Sequence, residues 1–376
     1  MGSGCSSHSN ENDDNSGFSK SFRELPKRKV ISRVRHSLTV SSRCDDGLDA
    51  SVRFVQRKNP GSSRPDHYDE DAYDSDDGKV QFDGSAEATR FNPFSLPQPV
   101  KSNTSDSMKP PLLGETATMG DITLGRKLGS GMYGTVYSAH FTGMSGFLSD
   151  KTIAAKVLKI PRQASERERL IVDFENEINI LARVQHPRIL LYLGCICQQP
   201  NDYVIMTELL AGNVCQVLRK TKETGKAISW DIATQIMLDV SEAMEFLHSR
   251  DPPIIHRDLK SENVLLTHDW RAKVADLGLS REIVAHKSGH YTVCGTPCWV
   301  APEIFRGESY GWQVDVYSFA IVVCEILSGN KPFRGLSLLD LPYLVARKCQ
   351  RPEIPSRTPQ DLRLLMAAMW ADDPGV

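Results

Sequence analysis

The sequence predicts an α+β domain standing behind a disordered tail, on three observations. The first 118 of its 376 residues are rich in Ser, Asp, Asn, Gly and Pro, and apolar residues there are too sparse to offset the entropy of ordering a backbone. From Met119 onward, β-favouring segments flank a cluster of glycines at Gly129, Gly131 and Gly134. A further strand-like run, Thr152 to Leu158, is followed by a helical stripe through Phe174, Ile178 and Leu181.

Charge narrows the function classes. The tail holds 16 Lys+Arg against 18 Asp+Glu, which leaves 45 − 16 = 29 against 47 − 18 = 29 beyond it, for net charges of −2 and 0. Binding nucleic acid through bulk charge needs a basic excess to displace counterions, so no nucleic-acid partner is expected. No run of about 18 apolar residues occurs, and Gly, Ser, Asn and Asp crowd the N-terminus where a secretory signal requires an apolar stretch. The nine cysteines are an odd number without zinc-finger spacing, and they read as reduced thiols of a cytoplasmic protein.

Within the tail, Met1-Gly2-Ser3-Gly4-Cys5-Ser6 fits the N-myristoylation pattern, with Gly2 the acceptor after removal of Met1 and Cys5 placed for a second acyl chain. One myristoyl chain binds a membrane only marginally, and a second chain or a basic run is needed for stable anchoring. Lys20, Arg23, Lys27, Arg28, Lys29, Arg33 and Arg35 stand against Glu24 alone, a net of 7 − 1 = +6 suited to an anionic inner leaflet. Their adjacency favours a lipid anchor on the cytoplasmic face of a membrane, with the plasma membrane expected. The alternatives are a chance Met-Gly start and a solvated or nuclear-targeting basic run. Seven acids (Asp66, Asp69, Glu70, Asp71, Asp74, Asp76, Asp77) then fall within twelve residues lacking Lys and Arg. Such a run is ordinarily a solvated spacer; folding back on the basic run or on the domain is the alternative. Pro93, Pro97, Pro99, Pro110 and Pro111 stiffen a linker.

The domain's motifs concern phosphate. Gly129-Ser130-Gly131-Met132-Tyr133-Gly134 lets backbone amides close over phosphates, although the same spacing fits dinucleotide folds and ordinary hairpins. A dinucleotide fold needs a helix to begin inside the loop, whereas Thr135-Val136-Tyr137 continues as strand. Lys156 is one charge in the otherwise apolar run Ile153 to Leu158 and needs an anion. Glu177, on the helix that follows, is a candidate, though an isolated helical Glu normally faces solvent. Farther on, His256-Arg257-Asp258-Leu259-Lys260-Ser261-Glu262-Asn263 forms a polar loop leading into a short strand. Val274-Ala275-Asp276-Leu277-Gly278 and Ala301-Pro302-Glu303 follow.

In order and spacing (156 − 129 = 27, 276 − 258 = 18, 303 − 276 = 27) these motifs resemble those of eukaryotic protein kinases over Met119 to Val376. The resemblance implies a bilobal fold with a small β-rich N-lobe and a larger helical C-lobe. It implies that Gly129, Ser130, Gly131, Gly134, Val136 and Ala154 bind ATP, that Lys156 contacts its α/β-phosphates, and that Glu177 holds Lys156. Asn263 and Asp276 would hold Mg²⁺. Asp258 would take the proton of the substrate hydroxyl and Lys260 would contact the γ-phosphate, in a reaction that needs positioning and charge neutralisation above all. Adenine would pack against the hinge Glu208-Leu209-Leu210, behind Thr207 as gatekeeper. His256 and Arg257 are implied supports, Asp315 would anchor the catalytic loop from a buried helix, and the Thr296 hydroxyl would bond Asp258 and Lys260. Ser288, Tyr291 and Thr292 are the candidate regulatory sites, where phosphate could pair with Arg257.

Lys260, with Gly295 to Glu303 and Asp315 to Ala320, is similar to the tyrosine-kinase-like group of Raf and mixed-lineage type. That implies phosphorylation of Ser/Thr in protein substrates during membrane-proximal signalling; the alternative is a catalytically weak or inactive scaffold on the same fold. Two departures stand out. Leu277 replaces the family's usual Phe and is expected to pack against the Glu177 helix. The run Met369 to Val376 is expected to stop before the family's last helix, and so before the arginine that normally pairs with the glutamate at Glu303.

Overall fold

The computed structural model describes residues 117–131, 134–142, 151–198, 202–282 and 294–372. Gly2, Cys5, the basic and acidic runs, the proline linker, Ser288, Tyr291 and Thr292 lie outside these residues. The domain is entered through Thr118, whose backbone N–H and hydroxyl donate to Asp121 at 2.7 and 2.8 Å and so cap a short 3₁₀ turn.

Five antiparallel strands follow, β1 (Ile122–Ser130), β2 (Gly134–Phe141), β3 (Lys151–Leu158), β4 (Tyr192–Gln198) and β5 (Asp202–Glu208), in the spatial order β1-β2-β3-β5-β4. The first strand runs farther than the sequence suggests. Gly129 and Ser130 pair with Val136 and Thr135, so the hairpin tip begins only at Gly131, whose N–H donates to the Gly134 carbonyl at 2.8 Å. One face of this sheet closes over a small core that includes Phe141, Ile153, Ile196, Val204 and Met206. The other receives helix α1 (Ala164–Arg183), through Phe174 edge-on to Tyr203 at 5.3 Å.

The segment from 184 to 191 leaves α1 for β4, yet it is bonded to the other half of the molecule. Leu190 N–H donates to the Val274 carbonyl, Val274 N–H to the Arg188 carbonyl, and the His186 ring stacks on Phe246 at 4.6 Å. The Arg188 guanidinium meets Asp239 at 3.0 Å and Glu242 at 3.3 Å. Asp239 is fully buried and also takes Arg271 and the Ala272 N–H, which satisfies a charge that would otherwise be costly there.

That larger half is helical. Helix α2 (Val214–Thr224) starts at a reciprocal Asn213–Gln216 cap and stops at Gly225, whose φ of 67° ends it in the left-handed region. Helices α3 (Trp230–His248) and α5 (Gln313–Ser328) form its centre, the latter buried at every residue from Tyr317 to Leu327. Helices α4 (Pro302–Arg306), α6 (Leu341–Arg347) and α7 (Gln360–Met369) pack around them. Short strands β6 (Gly212–Asn213), β8 (Val264–Leu266) and β9 (Ala272–Val274) make a three-stranded sheet, and β7 (Ile254–Ile255) pairs with β10 (Arg281–Glu282). A small β-rich lobe beside a larger helical one is the architecture that the motifs implied. The seven described cysteines are free thiols, and no described helix is long and apolar enough to cross a membrane.

Candidate active site

The strand register assembles the upper wall of a cleft. Val136 lies opposite Lys156, and Ala154 opposite Thr207, so all four side chains share one sheet face. Gly134 is needed on packing grounds: a Cβ there would sit 2.5 Å from the Val157 carbonyl oxygen, while Gly129 and Gly131 face open space. The tip of this wall is tied by a residue the sequence reading passed over. Lys159 donates to the Ser130 hydroxyl at 3.2 Å and to the Gly131 carbonyl at 3.3 Å.

Lys156 finds its anion, and a second one. Its ammonium donates to both oxygens of Glu177, at 2.9 and 3.1 Å, and to Asp276 Oδ1 at 3.1 Å. The Glu177 side chain is therefore not on the solvent face expected of a lone helical Glu; it is buried on the α1 face that also buries Phe174 and Leu181. Burial works against the Lys156 charge, but the Asp276 and Glu177 carboxylates outweigh it and hold the ammonium above its ordinary pKa. Burial pushes Glu177 upward, and Lys156 opposes this without cancelling it. For Asp276, burial also acts upward, but the Lys156 charge and hydrogen bond prevail, with Lys260 adding, and the carboxyl is held low. Asp276 adopts φ 63°, a left-handed conformation uncommon outside glycine that turns its carboxylate into the cleft. The turn that follows, Leu277 to Leu279, packs on α1 with Leu277 buried, as the Leu-for-Phe exchange predicted.

The lower wall is held from beneath. Asp315, fully buried on α5, accepts the His256 N–H at 2.8 Å, the Arg257 N–H at 2.9 Å and a contact with His248 Nε2 at 2.8 Å. These bonds fix Arg257 at φ 67°. The Arg257 side chain donates to the Leu279 carbonyl at 2.5 Å. His256 Nδ1 accepts the Asp258 N–H and its Nε2 faces the Ala275 carbonyl at 3.0 Å, which selects the Nε2–H tautomer. So positioned, Asp258 has both oxygens engaged. Oδ1 accepts from the Thr296 N–H at 3.0 Å and hydroxyl at 2.8 Å, while Oδ2 meets Lys260 at 2.9 Å and Asn263 Nδ2 at 3.2 Å. Lys260 also donates to the Thr296 hydroxyl at 2.7 Å, which is the bridging role anticipated for that threonine.

Between the walls, Thr207 ends the upper face and its hydroxyl donates to the Glu208 carbonyl at 3.3 Å. Leu209 and Leu210 continue out of β5. The Glu208 carboxylate is clamped by Lys273 Nζ at 2.6 Å and the Leu191 N–H at 2.8 Å. Lys273 is the second contributor absent from the sequence reading; its one signal was a lysine between the apolar Ala272 and Val274. Glu303 is buried and makes no ion pair among the described residues. Burial raises its pKa against the pull of Arg306 and Arg351, and Arg306 instead pairs with Glu308 and Asp372.

The donor set fits a nucleotide triphosphate with its metal. An open glycine tip and an ammonium held between two carboxylates suit phosphates, and the Asp276 carboxylate and the Asn263 side-chain oxygen are donors of the kind a hard divalent cation takes. Comparison with known proteins agrees: residues 122–375 match the family described as "Protein tyrosine and serine/threonine kinase". The chain is 33% identical over 256 residues to the serine/threonine-protein kinase CTR1 of Arabidopsis thaliana, covering 68% of this chain and 30% of that one. It is 33% identical over 261 residues to the serine/threonine/tyrosine-protein kinase HT1 of the same plant, covering 69% and 64%. It is 32% identical over 247 residues to the "Probable serine/threonine-protein kinase drkA" of Dictyostelium discoideum, covering 65% and 36%. The chain thus spans less than two thirds of the length of each of these relatives.

Proposed function

The chain belongs to the protein tyrosine and serine/threonine kinase family, and from that premise we propose that it transfers the γ-phosphate of ATP to Ser or Thr of protein substrates at the cytoplasmic face of a membrane. The observation that supports catalysis is that Lys156, Glu177 and Asp276 meet as one cluster across the cleft from Asp258, Lys260 and Asn263. Bound ATP and Mg²⁺ supply the phosphoryl group and neutralise its charge. Lys156 binds the phosphates, oriented by Glu177. Asp276 and Asn263 hold the metal. The Glu208–Leu210 hinge and the Val136 and Ala154 side chains seat the adenine, with Thr207 behind it. Asp258 accepts the hydroxyl proton at its carboxylate, and Lys260 and Thr296 hold that carboxylate in place.

Replacing Asp276 by Asn removes a charge directed at metal and should lower transfer to a generic protein substrate by about 1,000-fold while the fold persists. Radiolabelled transfer followed by phosphoamino-acid analysis tests both parts: wild-type rates in D276N refute the site, and label on Tyr alone refutes the Ser/Thr assignment. Phosphate on Ser288, Tyr291 or Thr292 would act by pairing with Arg257.

The membrane part rests on the Gly2 and Cys5 pattern and the +6 run from Lys20 to Arg35. Gly2→Ala should move the protein from the membrane to the soluble fraction, and Cys5→Ser should do so only partly, because one chain and the basic run remain. A Gly2→Ala protein that still sediments with membranes overturns the acyl anchor.

A further inference from the structure

Helix α6 and the segment before it carry a surface that the catalytic reading leaves unused. Leu336, Leu339 and Tyr343 are three of the seven large hydrophobic side chains exposed among the described residues, and Leu339 is 91% exposed. Around them stand the exposed cations Lys331, Arg334, Arg347 and Lys348 against the exposed Asp340. Lys348 Nζ lies 5.7 Å from the centre of the Tyr343 ring, so charge and apolar surface are interleaved. Beside this patch opens a cavity of about 510 Å³, with Lys331, Arg334 and Leu336 on its wall. The wall also holds Arg351, Arg357, Glu325 and Glu353, so cations outnumber acids across patch and cavity without excluding them, and an apolar surface beside an excess of one charge marks an interaction site.

The sequence holds a segment of matching chemistry. Residues 66–77 carry seven carboxylates and no Lys or Arg, with two aromatic residues, Tyr68 and Tyr73, among them. The basic surface offers partners for the carboxylates, and the leucines and the adjoining cavity offer places for the tyrosine rings. The connection is long enough. A chain as long as the 39 residues between Asp77 and Ala117 reaches at least roughly 35 Å. A compact domain of this size has a radius of gyration of about 18 Å. A tethered segment of this reach meets the domain at millimolar effective concentration, so modest affinity suffices.

We propose that the acidic segment 66–77 docks in cis on the α6 face, its carboxylates on Lys331, Arg334, Arg347 and Lys348 and its tyrosines against Leu336, Leu339 and Tyr343. The contact is electrostatic in large part and weakens as salt shortens the screening length. It does not depend on phosphoryl transfer.

The test uses the full chain. Carbodiimide, which joins carboxylates to amines in direct contact, should link residues 66–77 to Lys331 or Lys348 within the monomer at low salt, and those links should vanish at about 1 M salt. Amides of 341–348 should exchange about 10-fold faster when the seven acids are replaced by Asn and Gln, the effect of losing a state populated about nine tenths of the time. Reversing the surface (Lys331→Glu, Arg334→Glu, Arg347→Glu, Lys348→Glu) should abolish the protection, and changing the seven acids to Lys in that background should restore it. Links to Lys20, Lys27 or Lys29 only would show the segment pairing within the tail, and links only between copies would show a dimer contact. Either result, or equal exchange in the wild type and the neutralised variant, overturns the proposal.

Discussion

The two walls of the cleft are built on opposite principles. The upper wall is joined to the lower by one charge cluster, Lys156 with Glu177 and Asp276, whose members come from a strand, a helix and a turn. The lower wall hangs from Asp315, a buried carboxylate whose bonds run to the backbone of residues 256 and 257 and to His248. In the first arrangement Lys156 has two carboxylate partners, so loss of either would leave it the other. The second is part of the core. On the proposed roles, this arrangement would let the alignment of Lys156 vary while Asp258 stays fixed.

Asp315→Asn should give the largest effect because it strikes structure and chemistry together. The amide cannot accept at both positions, so a buried N–H loses its partner, at a cost of about 3 kcal/mol. That corresponds to a fall in Tm of roughly 6–12 °C for a domain of this size, and transfer should fall with it. A variant with unchanged Tm would remove the contrast between the walls.

Glu177→Gln should separate the two effects. Burial already raises the Glu177 pKa, so neutralising it sacrifices little stability, and the Tm should move by no more than about 3 °C. Loss of the group that orients Lys156 should still lower kcat/KM by about 100-fold. A thermal shift as large as that of Asp315→Asn would mean that the upper wall is structural too.

A third effect, confined to the pH dependence of stability, should come from Glu325, the other buried acid of α5. It accepts from the Ser261 hydroxyl at 2.7 Å, and burial pushes its pKa up to about 8 from an ordinary 4.5. Asp315 is the reverse case: burial acts upward, but His248 and the backbone N–H of His256 hold it low and ionised. Above pH 4.5 the unfolded chain releases the Glu325 proton that the folded protein keeps until about pH 8, so stability falls as pH rises through that window. In Glu325→Gln that component is gone. The Tm difference between the variant and the wild type should grow from pH 5 to pH 8 and level off beyond, and parallel Tm–pH curves would count against it.

Two features of the candidate site were legible locally because each is chemically out of place in its own stretch of sequence, Lys156 in an apolar strand and the glycines between strand-formers, whereas Glu177, Asp258, Asn263, Asp276 and Asp315 took their candidate roles from the resemblance of the motifs. Residues whose meaning lies in a distant partner were not legible. Nothing local tells that Lys273 reaches Glu208, or that Arg188 meets Asp239 and Glu242 more than fifty residues away. The strand boundary at Gly129 was misjudged for a related reason. Glycine is a poor strand former, and here the pairing with Val136, not propensity, keeps it in the ladder.

The segment from 184 to 191 belongs to the small lobe by connectivity and to the large lobe by bonding, through Arg188, His186 and the Val274 exchange. That bonding would make it a fulcrum for any motion between the two. When the lobes part, the sheet and α1 turn about the foot of that helix at Arg183, and displacement grows with distance from it. Glu177 lies six residues up α1, only about 9 Å along its axis, so it travels a short arc. The hairpin tip at Gly131 sits far out on the lever and sweeps a long one. Any opening about that foot would displace Glu177, and with it the contact to Lys156, less than the glycine tip.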